Sequence, residues 1–245
     1  MNLMGGKWRQ GPAIAERIRP FLKPGGRYVE PFCGVMGVAS RVAVIAPTGL
    51  RMELSDINEA LVCTWNALVS GWVPPDVVIE EEYRFFKQNP YPGDPMTAYC
   101  GYGMSFGGKW FGGYARNGHG TNYAVNCKRS SLLKASSLLK ASSLLKASVK
   151  ITHGDYRGIA GPGVYYLDPL YASRTRAHGV GWFDHEAFWN YARMRTRDGP
   201  VLVTEFVAPD DFVPVYEFGD TVVRHYASRG GDGTNERIFM HRSQV

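Results

Sequence analysis

Long apolar runs, paired cysteines and a dinucleotide fingerprint are all missing from this chain of 245 residues. No stretch approaches the ~20 consecutive apolar residues that a bilayer-spanning helix needs. The opening segment, MNLMGGKWRQ, has no apolar h-region of the kind that marks a secretory signal. A soluble, cytoplasmic protein without a membrane partner is therefore expected. Cys33, Cys63, Cys100 and Cys127 are scattered, with no C-x-x-C pair and no histidines at ligand spacing. That argues against a structural zinc site, leaves no metal expected, and fits reduced thiols in a cytosol. A G-x-G-x-x-G loop is absent, which disfavours a nicotinamide dehydrogenase. Acidic residues are outnumbered 22 to 28 by lysine and arginine, and the net charge of +6 suits a polyanion-binding surface without requiring one.

What is present reads as α/β. Ala13–Leu22 carries Ile14, Ile18 and Phe21 at helical spacing and closes at Pro24-Gly25-Gly26. A strand over Arg27–Phe32, a helix over Val38–Ile45 and a strand over Leu50–Leu54 follow, with Asp56 just beyond. Strands return at Val164–Leu167, Val201–Phe206, Thr221–Tyr226 and Arg237–His241, with a helix at Phe183–Arg193. The pattern predicts one sheet domain in two halves, 1–58 and 149–245, parted by an insertion at 59–148. Its roughly ninety residues suit a domain better than a loop.

Inside that insertion SSLLKA occurs three times in tandem, at Ser130–Ala135, Ser136–Ala141 and Ser142–Ala147. A six-residue step turns a helix by about 240°, which spreads the leucines around it. The repeat is therefore read as a duplication in a tolerant surface connection, whose lysines Lys134, Lys140 and Lys146 could brush phosphates.

Three short stretches could carry chemistry. Asp168-Pro169-Leu170-Tyr171 follows the apolar run VYYL, placing it at the carboxyl end of a strand, where ligands bind in open α/β sheets. An exocyclic adenine amine is a poor nucleophile because its lone pair is delocalised into the ring. A carboxylate (Asp168) and a backbone carbonyl (Pro169), both accepting its N–H bonds, would free that lone pair, while Tyr171 stacks on a flipped base. The same residues equally suit an ordinary Asp-Pro turn. The run Tyr28–Gly37 turns from a strand through Gly34 into a helix, letting a nucleoside-like ligand approach the backbone, and Asp56 stands ready for ribose hydroxyls. Gly5-Gly6-Lys7 is either a loose segment or a lysine that meets a ligand's carboxylate.

Taken in order, GGK at 5–7, EPFCG at 30–34, SDIN at 55–58, the insertion with SFGGKWFGGYAR at 105–116, DPLY at 168–171, APDDF at 208–212 and NERIFMH at 235–241 resemble the Dam-like, phage-type adenine-specific DNA methyltransferases. The resemblance implies a Rossmann-like methyltransferase sheet of seven strands with an inserted, mainly helical target-recognition domain. It implies S-adenosylmethionine as cofactor, held by Lys7, Glu30, Phe32, Gly34, Asp56, Asp155, Tyr156 and Asp168. Asp155 and Tyr156 would flank the cofactor's adenine. Asp168, Pro169 and Tyr171 would carry the catalysis on double-stranded DNA in a bacterial or phage-infected cell. Lys109, Trp110, Tyr114, Arg116, Lys128 and Arg129 would contact that DNA, with the aromatics filling the gap left by the flipped base. A glycine-rich loop with its aromatics packed underneath is the plainer reading of 101–118. Two residues depart from the family pattern: Leu170 replaces the second proline of D-P-P-Y, and Met36 stands where a small residue is usual. The first raises the alternative of a DNA-binding protein without turnover.

Overall fold

The computed structural model describes residues 1, 6–116, 123–169, 183–219 and 235–245. In chain order its elements are α1 (Gly11–Ile18), β1 (Arg27–Glu30), α2 (Ala39–Ile45), β2 (Arg51–Asp56), α3 (Glu59–Val69), α4 (Glu80–Gln88), α5 (Pro95–Ala98), α6 (Tyr123–Leu145), β3 (Ser148–His153), β4 (Val164–Leu167), α7 (His185–Arg195), β5 (Val201–Glu205), β6 (Phe212–Glu217) and β7 (Arg237–His241). A π-helical turn, Tyr99–Gly103, follows α5.

The strands form one seven-stranded sheet in the order β3-β2-β1-β4-β5-β7-β6. The five strands from β3 to β5 run parallel, and β7 lies antiparallel between β5 and β6. Helices cover both faces, so the central strands are apolar throughout rather than alternating: every residue of VYYL and VLVTE is buried. Successive residues still serve opposite faces. Tyr28, Tyr166, Leu202 and Ile238 share a core with Ile14 and Ile18 of α1, Val42 of α2, Trp65 of α3 and Leu138 of α6. Val29, Tyr165, Leu167, Val203 and Phe239 pack on Phe188, Trp189 and Tyr191 of α7. Two side-chain caps start the crossover helices. The Leu61 amide donates to Asn58 Oδ1 at α3, and the Ala187 amide to Asp184 Oδ1 at α7.

β3 and β6 are strands that the apolar pattern did not announce, and both lie at the sheet's edges. Only Ile151 of β3 is buried. β6 contains Pro214, which has no amide hydrogen and is tolerated where a ladder is incomplete; the register shifts between Pro214 and Tyr216. The expected strand at Thr221–Tyr226 lies outside the described residues.

The segment 59–148 is mainly helical, as the resemblance implied. Its first and last helices are not set apart from the sheet, since α3 packs on β2 and β3 and α6 packs on α2 and α3. The reading of the SSLLKA run as a loose surface connection is corrected: it forms most of α6. Buried positions Ala124, Cys127, Ser131, Lys134, Leu138 and Ala141 recur at steps of three and four, the spacing of one helical face. Because the repeat advances by six, that face takes different residues from each copy. Leu138 is buried while Leu133 and Leu144 are 55% and 77% exposed. The repeat's three lysines have three fates. Lys134 is buried and donates to the Val35 carbonyl (2.8 Å), Lys140 is exposed, and Lys146 adopts φ 50° just past the helix end.

Among the described residues, no helix is long and apolar enough to cross a membrane, and no cluster of histidine, cysteine, aspartate and glutamate could hold a metal ion.

Candidate active site

The carboxyl ends of β1, β2 and β4 open onto one edge of the sheet, and most of the residues singled out by sequence meet there. β1 runs into the turn Pro31–Gly37, which the Cys33 amide ties to the Ser55 carbonyl of β2 at 2.9 Å. Gly34 adopts φ 46°, a conformation costly for other residues. Its peptide is held from both sides. The Gly34 amide donates to Asp56 Oδ2 (2.9 Å), and the buried Trp65 Nε1 donates to the Gly34 carbonyl (2.9 Å). Asp56 Oδ1 also accepts from the Asn58 amide at 2.9 Å. Burial pushes the Asp56 carboxyl above its ordinary value, and these backbone bonds pull it back. Met36 adopts φ 57° and is fully buried, so the larger residue fills core space at the expense of backbone strain.

Gly37 sets the next contact. A Cβ there would lie 3.1–3.2 Å from the backbone of Lys7 and Trp8, tighter than ordinary van der Waals contact, so the glycine lets that segment cross the turn without pushing it away. The crossing delivers Lys7 to the end of β4, where its Nζ lies 2.8 Å from Asp168 Oδ1 and 3.1 Å from Glu236 Oε1. Gln10 donates to the other oxygen of Glu236. The side chains of Lys7, Asp168 and Glu236 are 4%, 17% and 5% exposed. Burial drives the Lys7 ammonium down, Asp168 and Glu236 more than offset it, and the group ends above its ordinary value. Nearby, Tyr28 donates to Glu30 Oε2 at 2.6 Å. Burial, reinforced by the charge of Asp168, pushes the Glu30 carboxyl up to about 8. Lys7 was expected to meet a ligand's carboxylate, and its partners here are two carboxylates of the protein. Sequence reading did not find Glu236 or Gln10. Glu236 lies within NERIFMH, and nothing in its spacing announces the meeting.

Phe32 and Tyr156, from loops after β1 and β3, come together with ring centroids 5.1 Å apart, backed by Phe183 and Phe188. Asp155 accepts from the Arg157 amide (2.8 Å) and pairs with its guanidinium (2.6 Å), which holds the carboxyl below its ordinary value. Pro169 is buried beside Asp168. Leu170 and Tyr171 lie outside the described residues.

The residues expected to contact DNA lie in the glycine-rich stretch before α6 and in the first turns of α6. Trp110 packs on Tyr102 and Phe111, both centroids 4.8 Å away, and a Cβ on Gly101 would lie 2.5 Å from its ring. Tyr114 donates to the Val78 carbonyl at 2.6 Å and packs on Tyr83. In this structure these aromatics are packed under a glycine-rich loop rather than projecting as a wedge. Arg116 is paired with Glu80 and Lys128 with Asp76, while Lys109 and Arg129 are exposed. One bond links this layer to the cofactor-type loop, from Asn58 Nδ2 to the Tyr102 hydroxyl at 3.0 Å.

No protein-family model and no curated protein matches the chain. Among solved structures, the chain is similar to the rRNA methyltransferase aviRa from Streptomyces viridochromogenes, 11% identical, covering 95% of this chain and 84% of that one, with a TM-score of 0.44. TrmN from Thermus thermophilus is 11% identical, covers 94% of this chain and 48% of that one, and scores 0.41. A conserved hypothetical protein from Streptococcus pyogenes is 9% identical, covers 96% and 97%, and scores 0.40. At such identities and scores, activity has to be argued from the site itself.

Proposed function

We propose that this chain transfers a methyl group from S-adenosylmethionine to the exocyclic 6-amino group of an adenine flipped out of duplex DNA. The observation that carries the reading is the position of Asp168, at the end of β4 and in the same sheet edge as the Gly34–Asp56 loop. The charge of this edge supports it. Asp56, Asp168, Glu205 and Glu236 stand at strand ends beside the ammonium of Lys7, and Glu30, raised to about 8, adds a protonated carboxyl. Such a surface favours a cationic ligand over a phosphate-bearing one.

The residues present fit this cofactor. Asp56 has two backbone partners and retains lone pairs for ribose hydroxyls, Gly34 permits close approach, and the Phe32–Tyr156 pair offers an aromatic wall for adenine. Asp155 would border the same ring. Bound there, the cofactor supplies an electrophilic methyl group on a sulfonium. Asp168 and the Pro169 carbonyl would accept the two amine N–H bonds and raise lone-pair density on the nitrogen, while Tyr171 would stack on the base. The nitrogen would gain the methyl and give up one proton to Asp168 or water, leaving the cofactor as its neutral thioether. Lys109 and Arg129, with Arg116 and Lys128, would meet phosphates. Leu170 favours a second reading, a DNA-binding protein without turnover, because it lacks the φ restraint that proline provides.

Transfer of tritiated methyl from S-adenosylmethionine to unmethylated bacterial DNA, with ribosomal and transfer RNA in parallel, tests the proposal. Label in DNA recovered as N6-methyladenine, and reduced by ~10²–10³-fold or more in Asp168→Ala, is expected. Label in RNA alone moves the substrate to RNA. DNA binding with no label in either supports the non-catalytic reading.

A further inference from the structure

We propose that Glu236 is a positioning residue which, with Gln10, draws the Lys7 ammonium partly away from Asp168 and so keeps the catalytic carboxylate available to the substrate amine. The inference rests on the methyl-transfer reading of the site. β4 and β7 are separated by β5 in the sheet, so Asp168 and Glu236 arise from strands about 10 Å apart. Lys7 bridges that gap at 2.8 and 3.1 Å, close to equal sharing. A lone buried ammonium against a lone carboxylate would form a neutral pair, and its partner would be a weakened acceptor for a neutral N–H. A second carboxylate competes for the same ammonium and leaves the trio net negative. Glu236 is itself fixed at both ends: Gln10 donates to its other oxygen, and its backbone carbonyl accepts from the Phe218 amide at 2.9 Å. Gln10 stands directly before α1, and the Gly11 amide donates to the Lys7 carbonyl at 2.6 Å, so one short turn carries both the ammonium and the amide that anchors its second partner.

Glu236→Gln removes the competing charge with little change in shape. Lysine side-chain ¹⁵N resonances, with Lys7 assigned through Lys7→Arg, and the carboxyl ¹³C resonance of Asp168 are followed with pH in both proteins. The Lys7 titration is expected to move to lower pH in Glu236→Gln, because one of the two carboxylates that oppose burial loses its charge, and the Asp168 resonance is expected to shift. On DNA, kcat should fall at least tenfold with KM for S-adenosylmethionine within twofold. An unmoved Lys7 or Asp168 resonance overturns the proposal, as does a normal kcat despite both shifts. If Glu236→Gln fails to fold, Gln10→Ala, which leaves every charge in place but unanchors Glu236, must give the same shifts in smaller degree or the proposal falls. A wild-type protein that methylates neither DNA nor RNA sinks the proposed function, and the resonances then decide by themselves whether Glu236 acts on Asp168 through Lys7.

Discussion

Glu30 has the most distinctive titration in the site, raised from an ordinary 4.5 to about 8 by burial. A carboxyl raised in the folded state keeps its proton there while the unfolded chain has lost it. Between roughly pH 4.5 and 8 the unfolded chain therefore binds fewer protons, and Glu30 makes the fold less stable as pH rises. Thermal melts of Glu30→Gln are expected to show a smaller decline across that window than wild type, because glutamine keeps an acceptor for the Tyr28 hydroxyl without a charge. Parallel declines in both proteins would contradict the assignment. Leu170→Pro restores a φ near −65° beside Pro169 and should raise kcat, each ~1.4 kcal/mol of regained preorganisation being worth about tenfold. A variant no faster than its parent would leave Leu170 without a kinetic role. Single residues were unevenly legible in the sequence. Gly34, Asp56 and Asp168 announced themselves because strand ends and a glycine turn have local signatures. Glu236 and Gln10 did not, since their meeting depends on β7 entering between β5 and β6, a long-range pairing that no local spacing encodes.

Elements were legible in proportion to their burial. β1, β4 and β5 lie inside the sheet and read as apolar runs, whereas β3 buries one residue and β6 carries Pro214. α6 failed for another reason. Its buried face contains Ser131 and Lys134, so an apolar count misses it, and the buried lysine is satisfied by the Val35 carbonyl 99 positions away in sequence. The face can be tested with the equivalent leucines of successive copies. Leu138→Ala should cost roughly 2–5 kcal/mol in chemical denaturation, while Leu144→Ala should stay within about 0.5 kcal/mol. Equal effects would mean that the helix does not present this face. Gly37→Ala should weaken S-adenosylmethionine binding and lower stability together, because the added methyl pushes on the backbone that delivers Lys7.

At the scale of the molecule, the division into sheet halves and insertion is a division of sequence more than of packing. Trp65 of α3 and Leu138 and Ala141 of α6 lie in the same core as Tyr28, Met52 and Leu54 of the sheet. Calorimetry is therefore expected to show one cooperative transition with matching calorimetric and van't Hoff enthalpies. An early, separate transition removed by deleting 70–122 would show instead that the core is shared only in appearance. The overall charge of +6 is opposite in sign to the carboxylates at the strand ends, so the proposed nucleic-acid and cofactor contacts would fall on surfaces of different charge. Salt should accordingly weaken nucleic-acid binding far more than cofactor binding.

The hexapeptide in α6 also fixes its own copy number. One unit advances a helix by about 9 Å and one and two-thirds turns, so gaining or losing one or two units would leave Lys146 and the entry to β3 pointing to the wrong side. Three units span eighteen residues, which is five whole turns. A change of three units would restore the angle but displace the helix end by about 27 Å, so no change of copy number keeps both. Replication slippage by a single unit, harmless in composition, would misalign the chain at the edge of the sheet.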